Sequence, residues 1–212
     1  MGAGEQTRQG ERFFRPIVAF DFDGTLTIKD SFTAFLAWRA GAGRYAAGLV
    51  GLAPAAFLYL FTRDRGRLKA TAARKFLRGA SRVEIETDAR RFAEGHAREI
   101  LRPDAIRAWK RWQSLGARLV IVTASPEQVV APFARGLGAD LLIGTRLEFG
   151  PDDRFTGKFA GKNCRGEEKV RRLKAAFGDD VKLEAAYGDT AGDRKMLAMA
   201  DEQGFKMFRG TP

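Results

Sequence analysis

PIVAFDFDGT, residues 16–25, joins a short apolar run to two carboxylates and a glycine turn. An apolar run of this length, preceded by polar residues, is what a strand buried on both faces of a parallel sheet needs. Working outward, ARLVIVTAS (117–125), ADLLIGT (139–145) and LEAAYGD (183–189) repeat the pattern. Helical patterns lie between them: IRAWKRWQSLG (106–116), SPEQVVAPFARGLG (125–138) and the basic GEEKVRRLKAAFG (166–178). Ser125 is the expected cap of the second, with Pro126 at its first helical position. GFKMFRG (204–210) reads as the last strand. Strands alternating with helices predict an α/β fold, a doubly wound, Rossmann-like parallel sheet. Ligands of such sheets bind beyond the carboxyl ends of the strands, where the acidic and hydroxyl residues of FDFDGT, VTAS and YGD fall.

Residues 31–105 break the alternation and read as helices throughout. The expected organisation is a tail over residues 1–15, a core over 16–30 and 106–212, and a helical cap over 31–105, inserted after the first strand.

Asp21 and Asp23, two residues apart at a strand end, can divide nucleophilic from acid/base work. Asp21 would attack phosphorus and form an aspartyl-phosphate. Asp23 would protonate the leaving alcohol and then activate water. Gly24 lets the backbone turn beside the phosphate. Thr123 can donate its hydroxyl to a phosphoryl oxygen, with the Ala124 amide beside it, although a threonine before Ser-Pro also suits simple capping. Lys169 would neutralise the charge on the reacting phosphate, with Lys158 and Lys162 as competitors nearby. Asp189 and Asp193 follow an apolar strand four residues apart. Mg²⁺ wants oxygen ligands and keeps several waters. Asp21, the Asp23 carbonyl and Asp189 would supply the protein's oxygens, supported from behind by Asp193.

The formal net charge of +11 favours anionic partners. No nucleic-acid motif accompanies it, so the expected partner is a phosphorylated small molecule or lipid, with peripheral contact to an anionic membrane. The lone Cys164 excludes an internal disulfide and suits a reducing cytoplasm. The lone His96 argues against a histidine relay. The N-terminal residues lack the apolar core of a signal peptide. The expected location is the cytoplasm, extending to the inner face of the membrane.

Taken together, DxDGT, a strand-end threonine, a lysine and GDxxxD, in this order from about residue 16 to 209, resemble the four motifs of the haloacid dehalogenase superfamily. Asp23, which the dehalogenases themselves lack, implies phosphoryl chemistry. A helical cap between the first two motifs resembles subfamily IB. NCRGEEKVRRL (163–173) resembles the phosphatidylglycerophosphatase C and cell-cycle-phosphatase-like branch, in which Cys164 would simply pack. Phosphoserine phosphatases are less similar, with Asp-Ser-Thr and Ser-Gly-Gly where this chain has Asp-Gly-Thr and Thr-Ala-Ser. Asp30 stands near their substrate-binding glutamate, one methylene shorter.

The uncharged YAAGLVGLAPAAFLYLFT (45–62) precedes a polybasic run that includes Lys69 and Arg74. That pairing suits an anionic membrane surface as well as ordinary packing, and makes Arg74 a candidate substrate contact. The resemblance implies a Mg²⁺-dependent phosphomonoester hydrolase, acting on a phospholipid such as phosphatidylglycerophosphate. The alternatives are a phosphoserine or other small-metabolite phosphatase, a phosphotransferase or mutase, and a non-catalytic membrane-associated regulator.

Overall fold

The computed structural model describes residues 15–62 and 65–212, without the side chains of residues 53–56, 58–62 and 65. The expected N-terminal tail lies outside the described residues except for Arg15, which belongs to the fold. Its guanidinium donates to Gly116 O at 2.9 Å and Ala117 O at 3.0 Å.

In chain order come β1 (Ile17–Phe20), α1 (Ser31–Ala40), α2 (Ala42–Thr62), α3 (Arg65–Leu77), α4 (Arg82–Ile100) and α5 (Pro103–Ser114). Then follow β2 (Arg118–Pro126), α6 (Glu127–Leu137), β3 (Leu141–Thr145), β4 (Leu147–Phe149) and β5 (Phe155–Phe159). The chain closes with α7 (Glu167–Phe177), β6 (Leu183–Gly188), α8 (Arg194–Leu197) and β7 (Ala200–Phe205).

The main sheet has the order β3-β2-β1-β6-β7 with every pair parallel. This is the α/β architecture that the alternating pattern predicts, with helices inserted between β1 and β2. Strand alternation divides the core between the two faces. Val18, Phe20, Leu119, Ile121 and Tyr187 pack with Trp109 and Phe133 on one side. Ile17, Ala19, Val120, Val122 and Ala186 pack with Cys164, Leu173 and Met196 on the other. β1 sits between β2 and β6, so the strand order reverses around it and its carboxyl end opens into the binding crevice.

The helical insertion joins the core through two neighbouring crossings. Ile28 N donates to Ile100 O at 2.9 Å, and Arg102 N to Leu26 O at 2.8 Å. Asp30 caps α1 by accepting from Thr33 N at 2.8 Å. Ser81 and Glu84 form a capping box on α4, a motif that satisfies two otherwise orphaned backbone donors. The Phe35, Phe92, Phe133 and Phe22 rings then run in contact from the insertion into the core, at centroid distances of 5.8, 6.1 and 5.4 Å.

Three local expectations change. The antiparallel hairpin β4–β5 leaves no clear sequence pattern, because its strands are short and Gly157 interrupts β5. It pairs with the insertion: Gly79 N donates to Phe155 O, and Phe155 N to Ala80 O, both at 2.9 Å. The last strand is β7, earlier than GFKMFRG. It is an edge strand that carries Asp201, Glu202 and Gln203 at exposed positions, and charge on an edge discourages further pairing. Finally, β2 runs on to Pro126, which takes the N-cap position of α6 without a side-chain hydrogen bond, and the Ser125 hydroxyl serves another purpose.

Candidate active site

Asp21 follows β1 directly, and its amide donates to Tyr187 O of β6 at 2.9 Å. The carboxylate is therefore held at the end of the central strand. The chain then makes a wide turn closed by Thr27 N on Phe22 O at 3.0 Å. Gly24 has φ +83°, and a Cβ there would lie 2.3 Å from Asp189 Oδ2. Glycine is needed twice over: for the left-handed backbone, and so that the Asp189 carboxylate can lie against the turn.

Lys169, on α7, is 1% exposed. Its Nζ donates to Asp21 Oδ1 at 2.6 Å, Asp193 Oδ1 at 2.7 Å and Val122 O at 2.5 Å. All three donors of the ammonium are used. Burial works against its charge, but Asp21 and Asp193 outweigh this and hold Lys169 above the ordinary lysine range. Burial likewise pushes the Asp21 carboxyl up to about 7, against the pull of Lys169. For Asp193 the balance falls the other way: burial is overcome by Lys169 and the Thr190 donors, and its carboxyl is held low.

Asp23 is gripped on both oxygens. Oδ1 accepts from Ser31 N, at the start of α1, at 2.7 Å. Oδ2 accepts a short hydrogen bond from the Ser125 hydroxyl. Ser125 in turn accepts from Lys69 Nζ at 3.0 Å. Lys69 stands 3.7 Å from Asp23 Oδ2 and 2.8 Å from Asp30 Oδ2. Burial disfavours the Lys69 charge, yet Asp23 and Asp30 raise its pKa. Burial of Asp30 is similarly outweighed by Lys69 and the Thr33 amide, which lower its pKa.

These groups surround a cavity of about 250 Å³ whose walls include Asp21, Asp23, Asp30, Thr123, Ala124 and Asp189. Lys69, Lys169 and Asp193 also line it. Thr123 is buried, and its Oγ1 accepts from Ser125 N at 3.1 Å. The structure thus brings together the sequence candidates on both carboxylate pairs, Gly24, Thr123, Ala124, Lys169 and Asp30. Lys158 and Lys162, the competitors of Lys169, do not line the cavity. Arg74 is a correction. Its Cγ lies 3.0 Å from where a Cβ of Gly157 would be, so its stem packs along β5, and it is absent from the cavity wall. Lys69, on α3, takes the place expected for a contact from the insertion. Cys164 packs as expected, with burial pushing its thiol up to about 11.

One oxygen each from Asp21, Asp189 and Asp193 lie within 4.8 Å of one another. Asp193 has both oxygens engaged, Oδ1 by Lys169 and Oδ2 by Thr190 N at 2.8 Å and Thr190 Oγ1 at 2.7 Å. Asp189 Oδ1 is buried and has no hydrogen-bond partner. Burial, followed by repulsion from Asp193, raises the Asp189 pKa. A buried acceptor without a donor, in an all-oxygen set, fits a hard divalent cation such as Mg²⁺.

Residues 18–198 match the family model described as haloacid dehalogenase-like hydrolase. The chain belongs to that family. The span covers every motif residue named above, and the reading of the chain as a hydrolase stands. Among related sequences, Protein CicA of Caulobacter vibrioides is 60% identical over 204 residues, 96% of this chain and 91% of that one. Among solved structures, a protein of unknown function from Bordetella pertussis has a TM-score of 0.76 at 26% identity, covering 89% of this chain and 88% of that one. A substrate-bound phosphoserine phosphatase has a TM-score of 0.62 at 18% identity, covering 90% and 85%. That likeness carries the haloacid dehalogenase-like fold.

Proposed function

We propose that this hydrolase is a phosphatase that cleaves phosphomonoesters in two steps through Asp21. The observation that carries the proposal is the buried ammonium of Lys169, shared between Asp21 at 2.6 Å and Asp193 at 2.7 Å. A charge fixed in this way meets phosphoryl oxygens without reorganising. Asp21 attacks phosphorus, and the bond to the alcohol oxygen breaks. Asp23, aimed by Ser31 N and Ser125, hands that oxygen a proton. Asp23 then takes a proton from water, which attacks the aspartyl-phosphate and releases phosphate and free Asp21. Thr123 and the Ala124 backbone would orient the phosphoryl group. Asp21, the Asp23 carbonyl and Asp189 would hold Mg²⁺, with Asp193 steadying the set. When bound, the ion supplies positive charge for the phosphoryl oxygens. The helical insertion would serve as a cap that keeps bulk water from the first step.

The cavity of about 250 Å³ suits a phosphate on a short polar alcohol. A phospholipid headgroup fits this description with its acyl chains outside, and so does a small phosphorylated metabolite. The deciding experiment is Mg²⁺-dependent phosphate release from phosphatidylglycerophosphate in mixed micelles, compared with phosphoserine. Selective release from the lipid supports the phospholipid reading, and selective release from phosphoserine supports the metabolite. No release from either, or from a general aryl phosphate, overturns the proposal.

Asp23→Asn should slow turnover by about 10²–10⁴-fold, the usual contribution of a positioned acid/base. Acid-quenched protein should then carry labelled phosphate on Asp21. An unlabelled and equally slow enzyme would remove Asp23 from the second step.

Asp189→Asn should raise the melting temperature of chelator-treated protein by a few degrees, since it removes a carboxylate that burial and Asp193 disfavour in its charged form. The same change should abolish the rise that Mg²⁺ gives the wild type. Differential scanning fluorimetry with and without Mg²⁺ reads both effects. An undiminished Mg²⁺ response would take Asp189 out of the ion site.

A further inference from the structure

α2 offers solvent an apolar stripe. Val50 is 76%, Phe57 64% and Leu49 46% exposed, and Ala46 is exposed as well. At 100° per residue, Ala46, Val50 and Phe57 fall within about 40° of one another, with Leu49 on their flank. The other side of the helix is fixed by packing. Gly48 and Leu52 are buried, and the Phe76 ring of α3 lies 2.4 Å from where a Gly48 Cβ would be. Helix α2 therefore cannot turn its stripe inward without losing this contact.

Cations border the stripe. Lys75 Nζ lies 3.1 Å from where a Cβ of Gly51 would be, alongside Val50. A cavity of about 320 Å³ at the foot of α2 is lined by Arg39, Arg44, Gly48, Lys75 and Phe76. Arg39 is satisfied by Asp88 at 2.8 Å. Arg44 and Lys75 make no ion pair with a described residue. Residues 41–79 contain eight basic side chains and a single acid, Asp64; of these Lys69 turns into the cavity, while Arg44 and Lys75 stand beside the stripe.

The chemistry selects the partner. From Ala46 to Phe61 the helix offers no side chain that can hydrogen-bond except Tyr59. Protein interfaces typically carry about one hydrogen bond per 100–200 Å², whereas a bilayer interface asks for none. Apolar side chains beside basic ones are what an anionic bilayer surface binds. Among the described residues no helix is long and apolar enough to cross a membrane.

We infer that the α2–α3 face seats on an anionic lipid bilayer, with Leu49, Val50 and Phe57 in the interface and Arg44 and Lys75 against headgroup phosphates. Docking does not depend on the substrate. It does bring the cavity near the surface, because Lys75 on the docking face and Lys69 in the cavity share α3, about 9 Å apart along its axis.

The test is co-sedimentation of the full chain with phosphatidylcholine vesicles, with and without phosphatidylglycerol. Wild type should bind the anionic vesicles and not the neutral ones. Val50→Asp and Lys75→Glu should each lower the partition coefficient at least about tenfold. Both side chains are exposed, so melting temperature and hydrolysis of p-nitrophenyl phosphate should stay at wild-type values. Equal binding to both vesicles, no binding, or wild-type binding by both variants overturns the inference. A shift of oligomeric state in Val50→Asp without vesicle binding does the same and assigns the face to a second copy. Binding without phosphate release keeps the docking and sinks the phosphatase proposal, while release without binding does the reverse.

Discussion

Asp21→Asn should abolish phosphate release, by at least about 10⁴-fold, the scale on which removing a nucleophile acts, in a protein that melts no lower than wild type. Asn keeps the shape of the side chain, and Lys169 retains Asp193 as counterion at 2.7 Å. The buried carboxyl of Asp21 is pushed from 3.8 up to about 7, so its charged form is a burden on the fold. A raised carboxyl pKa means that the folded chain holds a proton the unfolded chain has lost. Wild-type stability without metal should therefore fall, relative to Asp21→Asn, as pH rises from about 4 to about 7, and the gap should stay constant above that. Thermal melts in chelator across this range, beside phosphate release with Mg²⁺, separate nucleophile from scaffold. Turnover above a hundredth of wild type would move the nucleophile elsewhere. A variant that melts lower at neutral pH would contradict the burial argument.

The carboxylates of this site were legible because each follows an apolar strand in the chain, and a parallel sheet gathers such strand ends at one edge. Lys169 needed the order of the motifs, since Lys158 and Lys162 carry the same charge in the same neighbourhood. Lys69 was not legible. On α3 it stands about 140° from Arg74 at 100° per residue, so the two face different partners, and a run of basic residues does not say which one turns inward. That choice is made by Asp30, Asp23 and Ser125, which lie 39, 46 and 56 positions away in the chain. Ser-Pro suits a helix cap, so the sequence points to Ser125 as one. Its hydroxyl turns to Asp23 instead, because β2 runs one residue further and the N-cap position falls to Pro126, which has no side-chain acceptor. The β4–β5 hairpin escaped for a similar reason, since part of its pairing is to Gly79 and Ala80 in the insertion.

Lys169→Met should be the most damaging single change to stability, and its damage should grow with pH. The substitution keeps a long unbranched side chain and removes the ammonium that bridges Asp21 and Asp193. Leaving one partner of a buried pair uncompensated costs about 3–5 kcal/mol, which in a chain of this size is a fall of about 10 °C in melting temperature. The sign follows from what remains. Asp193 is held low in the wild type because Lys169 and Thr190 overcome its burial; without Lys169, burial and the nearby Asp21 charge push it up. Its contribution in the wild type is present above its ordinary pKa and lost as pH falls. In the variant, ionised Asp193 and Asp21 destabilise the fold at neutral pH, and protonation relieves them in acid. The two melting curves should therefore converge toward pH 4 and separate toward pH 8. Adding Asp193→Asn to Lys169→Met should recover part of the lost stability without recovering turnover, because the second carboxylate is then gone while the phosphate still lacks its cation. A lysine on a solvated face would give neither the loss, nor its pH dependence, nor the rescue.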